Sequence, residues 1–483
     1  MTQFKAWGRN LLACLTAAVL TGSWMSMLPA TAASTVVAVG DCDSSGTVDP
    51  DDIYLLRDYL TGTATTISMG ADLDGDAAIT AIDLTLLKRM VLYPAPEAES
   101  ITVMVYLCGS DLETEAEQAT MDMIEMMYAD TSEHLNIVMA TGGAKEWSSD
   151  NTCVDADSHY YVSCNSEGIK VKDCGEIRNM AEADTLSQFI TYSTERFPAD
   201  RYALILWDHG GGPVYGLCYD EIYGESMSIP VLCYALENAQ VHFDWIGFDC
   251  CVMGCAEIAY AVRDYADYMI ASEESESGLG WNYTGFLSTL AADPAVDMET
   301  LAQQIIDDMI ADNKKYRMEA TLACYDLSKA EQVMSAVYDY VDDLYALYSK
   351  SGITSIVTAR SKAQDFGEGE YDLVDIRHFA TLLPTAHSAA LLTAMDEMIL
   401  ISQSYRIDNA NGMAMWFFEN YPNEAVYLSY TMAYYGIDED YIAKLQEMAK
   451  AAQAVNAASV VPHSDRSENV LVQAFARWLA AIT

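Results

Sequence analysis

Two short segments of this 483-residue chain carry side chains able to do covalent chemistry. Asp208-His209-Gly210-Gly211-Gly212 follows an apolar run at 202–207, and Asp249-Cys250-Cys251-Val252-Met253-Gly254 follows another at 243–248. A thiol of ordinary acidity, with a pKa of about 8.5, is a poor nucleophile at neutral pH until a base or cation ionises it. An imidazole can serve as that base. If the two apolar runs are neighbouring strands, the His and a Cys meet at one sheet edge. A helix predicted over 252–265 would set its N-terminal dipole beside the thiolate. The backbone N–H of the nucleophile, with that of Gly210, would form an oxyanion hole. The glycines after His209 would let backbone approach a substrate carbonyl closely.

The elements that must position these residues are legible as a pattern. Apolar runs at 101–107, 135–140, 202–207, 243–248 and 268–271 alternate with helical spacing at 113–128, 183–196 and 252–265. That alternation predicts a mostly parallel sheet covered by helices on both faces, with chemistry at the carboxyl ends of the strands. Segments 153–162 and 168–174 read as an amphipathic hairpin. Beyond residue 300, helices are expected at 301–313, 329–348, 389–402, 442–455 and 469–482, and strands at 321–326 and 413–418.

Composition narrows the partners. Hydrophobic residues make up 51% of the chain, enough to rule out an intrinsically disordered protein. Lys+Arg number 25 against 72 Asp+Glu, a net charge of −47. Such a surface repels nucleic acid and anionic lipid and favours calcium and cationic peptides. Lys5 and Arg9, the apolar stretch 11–20 and Ala30-Thr31-Ala32 form the pattern of a secretory signal peptide over residues 1–33, too short to span a membrane. Cys14 is a weaker alternative, a lipoprotein site. Removing that leader leaves 11 of the 12 cysteines, an odd number that predicts at least one free thiol.

Two acidic loops lie thirty-one residues apart. The first offers Asp41, Asp43, Ser45, the Thr47 carbonyl, Asp49 and Asp52; the second offers Asp72, Asp74, Asp76, the Ala78 carbonyl, Thr80 and Asp83. These are positions 1, 3, 5, 7, 9 and 12 of an EF-hand loop, which supplies a calcium ion with hard oxygen ligands. Val48 and Ile79 occupy the apolar position that packs the loops together, and helices are expected at 53–60 and 84–92. The duplicated loop-helix resembles a dockerin, the calcium-folded module that docks onto cohesin domains of cellulosomal scaffolds. Ala77 departs from the usual Gly, so the second site is expected to be the weaker of two calcium sites. A Pro-rich acidic stretch at 94–100 reads as a linker.

The segments around His209 and Cys251, forty-two residues apart, resemble the two signatures of the clostripain-like cysteine peptidases. The strand at 102–107 and the loop at 271–283 resemble that family too. The resemblance implies a caspase-like fold: an α/β sheet of mostly parallel strands flanked by helices, here preceded by the small all-α dockerin. It implies His209 as general base, Cys251 as nucleophile, Gly210 as oxyanion donor, and Asp249 as the acid that pairs with an Arg or Lys side chain of the substrate. Relatives usually have Ala where Cys250 stands and often Asn where Asp208 stands, whose simplest role is a turn cap. No Lys or Arg occurs between residues 210 and 250, so self-cleavage there is not expected.

The resulting expectation is a signal peptide at 1–33, a dockerin at 34–93, a linker at 94–100 and a peptidase domain at 101–483. Such a protein would be a secreted cysteine endopeptidase cleaving after Arg or Lys, held on a cohesin-bearing scaffold. The competing expectation is a catalytically silent binding protein of the same fold. His134, His159, His378, His387 and His463 have no spaced partner and read as structural or exposed, and His242, beside a strand start, reads as a surface or satisfied histidine. The Met-rich stretch 121–127 reads as helix core, and Glu273 reads either as a cleft residue or as a solvated loop acid.

Overall fold

The computed structural model describes residues 39–73, 78–92, 99–420 and 425–457. The leader, Asp74, Asp76, Ala77, most of the linker, His463 and the helix expected at 469–482 lie outside them. The chain divides into two compact units between residues 98 and 99.

In the first unit, helices α1 (Pro50–Leu60) and α2 (Ala81–Leu92) each follow one acidic loop. Both start three residues earlier than expected. Asp49 caps α1 by accepting the Asp51 N–H while Asp52 accepts the Asp49 N–H, and Pro50 is tolerated in the first turn because it has no N–H to satisfy. Leu56 and Leu87 are fully buried in a small core with Cys42, Ile53 and Ala71, and Val48 and Ile79 pack against it.

The second unit is built on a nine-stranded sheet. Its strands are β1 (Ile101–Cys108), β2 (Leu135–Gly142), β3 (Tyr160–Asn165), β4 (Gly168–Asp173), β5 (Arg201–Trp207), β6 (Phe243–Asp249), β7 (Ala266–Ala271), β8 (Ala320–Asp326) and β9 (Ile399–Tyr405). Their spatial order is β9-β8-β7-β6-β5-β1-β2-β3-β4. The five central strands β2, β1, β5, β6 and β7 run parallel, and antiparallel pairs close both margins.

All eight residues of β1 are buried, which explains its uninterrupted apolar run. Successive side chains point to opposite faces. Met104, Tyr106 and Cys108 enter one core, and Ile101, Val103, Val105 and Leu107 enter the other. Between β1 and β2 come α3 (Ser110–Ala116) and α4 (Gln118–Tyr128). The second core is covered by α4 with α8 (Tyr283–Ala292) and α9 (Met298–Tyr316). The first is covered by α5 (Ala183–Arg196), α6 (Ile229–Ala239), α7 (Ala256–Val262) and α10 (Ala330–Tyr348).

Four expected elements differ from those observed. The hairpin strand expected at 153–162 is β3, Tyr160–Asn165, and residues 153–159 are turns and bends. The helix expected at 113–128 is two helices, broken where Glu117 takes a left-handed φ of +61°. The helix expected at 389–402 ends at Met398, and 399–405 is the edge strand β9, paired antiparallel with β8. The helix expected at 252–265 starts only at Ala256. Before it, the Val252 N–H bonds to the Glu274 carbonyl and the Gly254 N–H to the Ser272 carbonyl at 2.6 Å, so the segment is tied to the end of β7 before it can coil. The hairpin Leu217–Asp220 and Glu225–Met227 and the helix α6 are further elements of this unit. Among the described residues no helix is long and apolar enough to cross a membrane.

A Cβ added to Gly254 would meet the Ser272 and Glu273 backbone at 2.7–2.9 Å. Gly254→Ala is therefore expected to lower the melting temperature, at a cost of about 1–3 kcal/mol. An unchanged thermal transition would contradict this packing of the 250–255 turn on β7.

Candidate active site

Strands β5 and β6 pair in parallel with Trp207 opposite Asp249. The chains leave the sheet together, and the Asp208 N–H extends the ladder to the Asp249 carbonyl at 3.3 Å. His209 and Cys251 each lie two residues past that last pair, on the same edge. Gly210 abuts the Cys251 backbone: a Cβ there would sit 2.1 Å from the Cys251 carbonyl oxygen. The backbone N–H groups of Gly210 and Cys251 have no hydrogen-bond partner among the described residues.

The vicinal cysteines separate by direction. Cys250 is buried and its thiol turns inward to the Leu206 carbonyl at 3.2 Å. Cys251 is only partly buried, and its sulfur accepts the Glu276 N–H at 3.3 Å. Burial pushes the Cys251 thiol up, Glu274 and Asp249 add to that, and the Glu276 N–H partly opposes it. The helix dipole expected to favour the thiolate is absent at this position, because α7 begins five residues later. Tyr371 lies close by, its phenol pushed up by burial and by the nearness of Cys251.

The His209 ring is bonded through Nε2 to Asp111 Oδ1 at 2.9 Å. Among the described residues no hydrogen bond joins the imidazole to the Cys251 sulfur. Asp208 does more than the turn cap expected of it. Its buried carboxyl accepts the Ser110 hydroxyl at 2.5 Å, tying the His-bearing turn to the turn after β1. Burial raises the Asp208 carboxyl to about 7, and the charge of His209 counters part of that rise.

Asp249 lies at the base of the site, buried, with Oδ2 accepting the Tyr283 hydroxyl at 2.8 Å. It does not stand alone. Asp122 on α4 accepts the Trp207 indole N–H at 2.7 Å. A Cβ at Gly280 would lie 3.1 Å from Asp122 Oδ2 and 3.6 Å from Asp249 Oδ2. Glu276 completes the group, its buried carboxyl hydrogen-bonded to Asp249. Burial, then the nearness of Asp249, holds the Asp122 and Glu276 carboxyls well above the usual range; burial raises Asp249 to about 6, and hydrogen bonds from Tyr283 and Glu276 partly oppose that rise. None of the three forms an ion pair with Lys or Arg among the described residues. Three acids crowded around one space and unmatched by a cation form an arrangement that a positively charged guest relieves.

Asp122 and Glu276 are absent from the residues singled out in the sequence, and so is Asp111. Asp122 sits in the Met-rich stretch, where Met123 and Met126 enter the core as expected and Met121 is exposed, and an acid on the buried face is the signal that could have marked it. Glu273 neither lines the cleft nor meets solvent. It is buried, accepts the Gly412 N–H at 2.7 Å, and its carboxyl is raised by burial and by Asp375. The other described histidines take structural roles: His242 pairs with Asp267, His387 with Asp343 and His134 with Glu133, and His378 accepts the Gln364 N–H. His159 is buried beside Tyr161 with both ring nitrogens unpartnered. All 11 described cysteines are free thiols.

In the first unit, carboxylate oxygens of Asp41, Asp43 and Asp52 lie within 4.8 Å of one another. Ser45 and Thr47 follow in the same turn, joined through their hydroxyls at 3.1 Å, and Thr47 reaches Asp49 at 3.4 Å. Gly46 makes the turn with φ +90°. The donor set is hard oxygen and strongly anionic, which fits calcium. Loop two repeats the scheme where it is described. Asp83 accepts the Leu73 and Thr80 N–H groups, as Asp52 accepts those of Cys42, Asp43 and Asp49. Asp72, Ala78 and Thr80 stand in that loop, while Asp74 and Asp76 lie outside the described residues.

Together these features define a mixed α/β protein with a thiol and an imidazole at the carboxyl ends of adjacent parallel strands, preceded by a small loop-helix module. The chain belongs to the clostripain family, whose model matches residues 105–479, and the dockerin type I domain model matches residues 39–92. Dockerin type I domains bind calcium. Clostripain of Hathewaya histolytica is 25% identical over 313 residues, which cover 53% of this chain and 59% of that protein. The chain thus spans less than two thirds of that relative. A secreted C11 cysteine protease from Bacteroides thetaiotaomicron, solved with an irreversible peptide inhibitor, shares the fold at a TM-score of 0.55 and 18% identity, covering 70% of this chain and 98% of that one. An inactive zymogen C11 protease from Parabacteroides distasonis aligns with a TM-score of 0.51 at 20% identity, covering 74% and 97%. The expected fold class and family are those found.

The crowded acids set a pH dependence. Their folded values lie above the ordinary carboxyl range, so the folded state holds protons that the unfolded chain has lost. Stability should fall as pH rises from about 4 through about 6, the value of Asp249. Glu276→Gln should accordingly raise the melting temperature at pH 8 and change it little at pH 4. An equal shift at both pH values would contradict this.

Proposed function

We propose that this protein is a secreted cysteine endopeptidase that cleaves after Arg or Lys and is tethered through its dockerin to a cohesin-bearing scaffold. The observation that carries the reading is the shared edge of β5 and β6, where His209 and Cys251 emerge beside a buried, cation-free carboxyl group at Asp249. Asp249, Asp122 and Glu276 would receive the guanidinium or ammonium of the residue on the acyl side of the scissile bond, as a charge-assisted pair. Cys251 would attack the carbonyl after giving its proton to His209. The N–H groups of Gly210 and Cys251 would hold the oxyanion, and the imidazolium would protonate the leaving amine. Water then hydrolyses the thioester.

One observation favours the competing reading of a silent binding protein: burial raises the Cys251 thiol, and His209 is bonded elsewhere. A substrate cation entering the acid cluster removes part of that burden, since Asp249 is among the groups that raise the thiol. The two readings part on turnover. Wild type should hydrolyse a short Arg-terminated reporter peptide and Cys251→Ala should not; comparable rates would refute Cys251 as nucleophile. Asp249→Ala should reduce discrimination for Arg over an uncharged residue by about 10²-fold or more, given charge-assisted bonds worth ~1.5–3 kcal/mol each. Unchanged discrimination would remove Asp249 from the pocket.

In the dockerin, two calcium ions would be held by Asp41, Asp43, Ser45, Thr47, Asp49 and Asp52, and by Asp72, Asp74, Asp76, Ala78, Thr80 and Asp83, the second set being the weaker. Removing calcium leaves the carboxylates of Asp41, Asp43 and Asp52 repelling one another. Chelation should therefore raise hydrogen exchange across residues 41–92 and abolish cohesin binding; exchange unaltered by chelation would contradict the assignment.

A further inference from the structure

We propose that Asp111 is a positioning residue of this site: by binding Nε2 of His209 it fixes the imidazole tautomer and assigns Nδ1 as the atom that takes the proton of Cys251. The inference deepens the peptidase reading and rests on it only for the turnover readout. A carboxylate accepts hydrogen bonds and cannot donate them, so the ring nitrogen bonded to Asp111 Oδ1 at 2.9 Å carries the hydrogen. In a neutral imidazole the lone pair then sits on Nδ1. Deprotonation breaks the Sγ–H bond, leaves its electron pair on sulfur and forms an N–H bond at Nδ1. The imidazolium so made keeps its Nε2–H on the carboxylate.

The surroundings hold Asp111 in place. It lies in the first turn of α3, directly after Ser110, whose φ of +47° is the left-handed region that a non-glycine residue adopts at a cost. That conformation is paired with the buried Ser110–Asp208 hydrogen bond at 2.5 Å, and Asp208 precedes His209 in the chain. The base and its orienting acid are thus joined twice, once through side chains and once through the Asp208–Ser110 tie. The middle of α3 is braced by Glu113, buried, whose carboxylate accepts the Thr120 N–H, the Thr120 hydroxyl and the Ser148 N–H.

The test uses the full-length protein and Asp111→Ala, Asp111→Asn and Asp111→Glu. Two rates are read: turnover of the Arg-terminated reporter, split into kcat and KM, and alkylation of Cys251 by iodoacetamide, located by mass spectrometry. Asp111→Ala should lower kcat about 10–100-fold, less than for a buried triad carboxylate because Asp111 is partly exposed. KM should stay within about twofold, alkylation should slow in parallel, and the melting temperature should not move. Asp111→Asn, which keeps an acceptor oxygen, and Asp111→Glu should each retain more activity than Asp111→Ala. An unchanged or increased kcat in Asp111→Ala, a loss carried by KM alone, or unaltered alkylation would overturn the proposal. Should wild type hydrolyse no reporter while Asp111→Ala still slows alkylation, the positioning role stands and the peptidase reading fails.

Discussion

The whole site depends on the parallel pairing of two short strands in one register. Trp207 stands opposite Asp249, and everything chemical follows within two or three residues of that pair. A one-residue slip would turn each strand's apolar side chains to the wrong core and carry His209 and Cys251 apart. That slip is resisted because both faces of the sheet are buried under helices. The large hydrophobic cores therefore do more than stabilise the unit, since they set the distance between a base and a thiol. Gly210, pressed against the Cys251 carbonyl, shows how little slack the two turns have.

Around this fixed geometry the protein accepts electrostatic cost. Asp122, Asp249 and Glu276 gather where burial raises all three and Asp249 raises the other two further, and Glu273 and Asp375 form a second buried acidic pair under the same loop. The loop from Ser272 to Trp281 thus has two ends with different tasks. Its first acids are anchors, with Glu274 accepting the Gly367 N–H at 2.8 Å and Glu273 accepting that of Gly412. Its last acid, Glu276, turns its carboxyl to Asp249, while its backbone N–H touches the Cys251 sulfur. Glu276 thus turns its side chain to the acid cluster and its main chain to Cys251. Buried acids of this kind cost stability, a common compromise between stability and function.

The fold was readable where the physics is local. Uninterrupted apolar runs located the buried parallel strands, and the 3.6-residue spacing located α5 to the residue. What escaped was decided by tertiary contacts. The helix expected from Val252 loses its first turn because its N–H groups find carbonyls at the end of β7, which no pattern within the segment announces. The edge strand β9 was absorbed into the preceding helix because no Gly or Pro between Ser388 and Tyr405 marks where the helix ends. At the site, His209, Gly210, Asp249 and Cys251 stand in motifs and were nameable. Asp111, Asp122 and Glu276 come from three separate loops and helices, and their convergence is a property of the folded chain alone. The first acidic loop was legible because its residues are contiguous, and the carboxylates of Asp41, Asp43 and Asp52 do gather within 4.8 Å.

The central claim is that Cys251, and not the adjacent Cys250, is an ionisable nucleophile aimed beside a pocket for a basic side chain. Mass-spectrometric mapping of the protein after exposure to a peptidyl-arginine chloromethyl ketone tests this most directly. The account predicts one adduct, on Cys251, formed much faster than with the matching norleucine reagent. An adduct on Cys250, equal labelling by both reagents, or labelling spread over other thiols would contradict it.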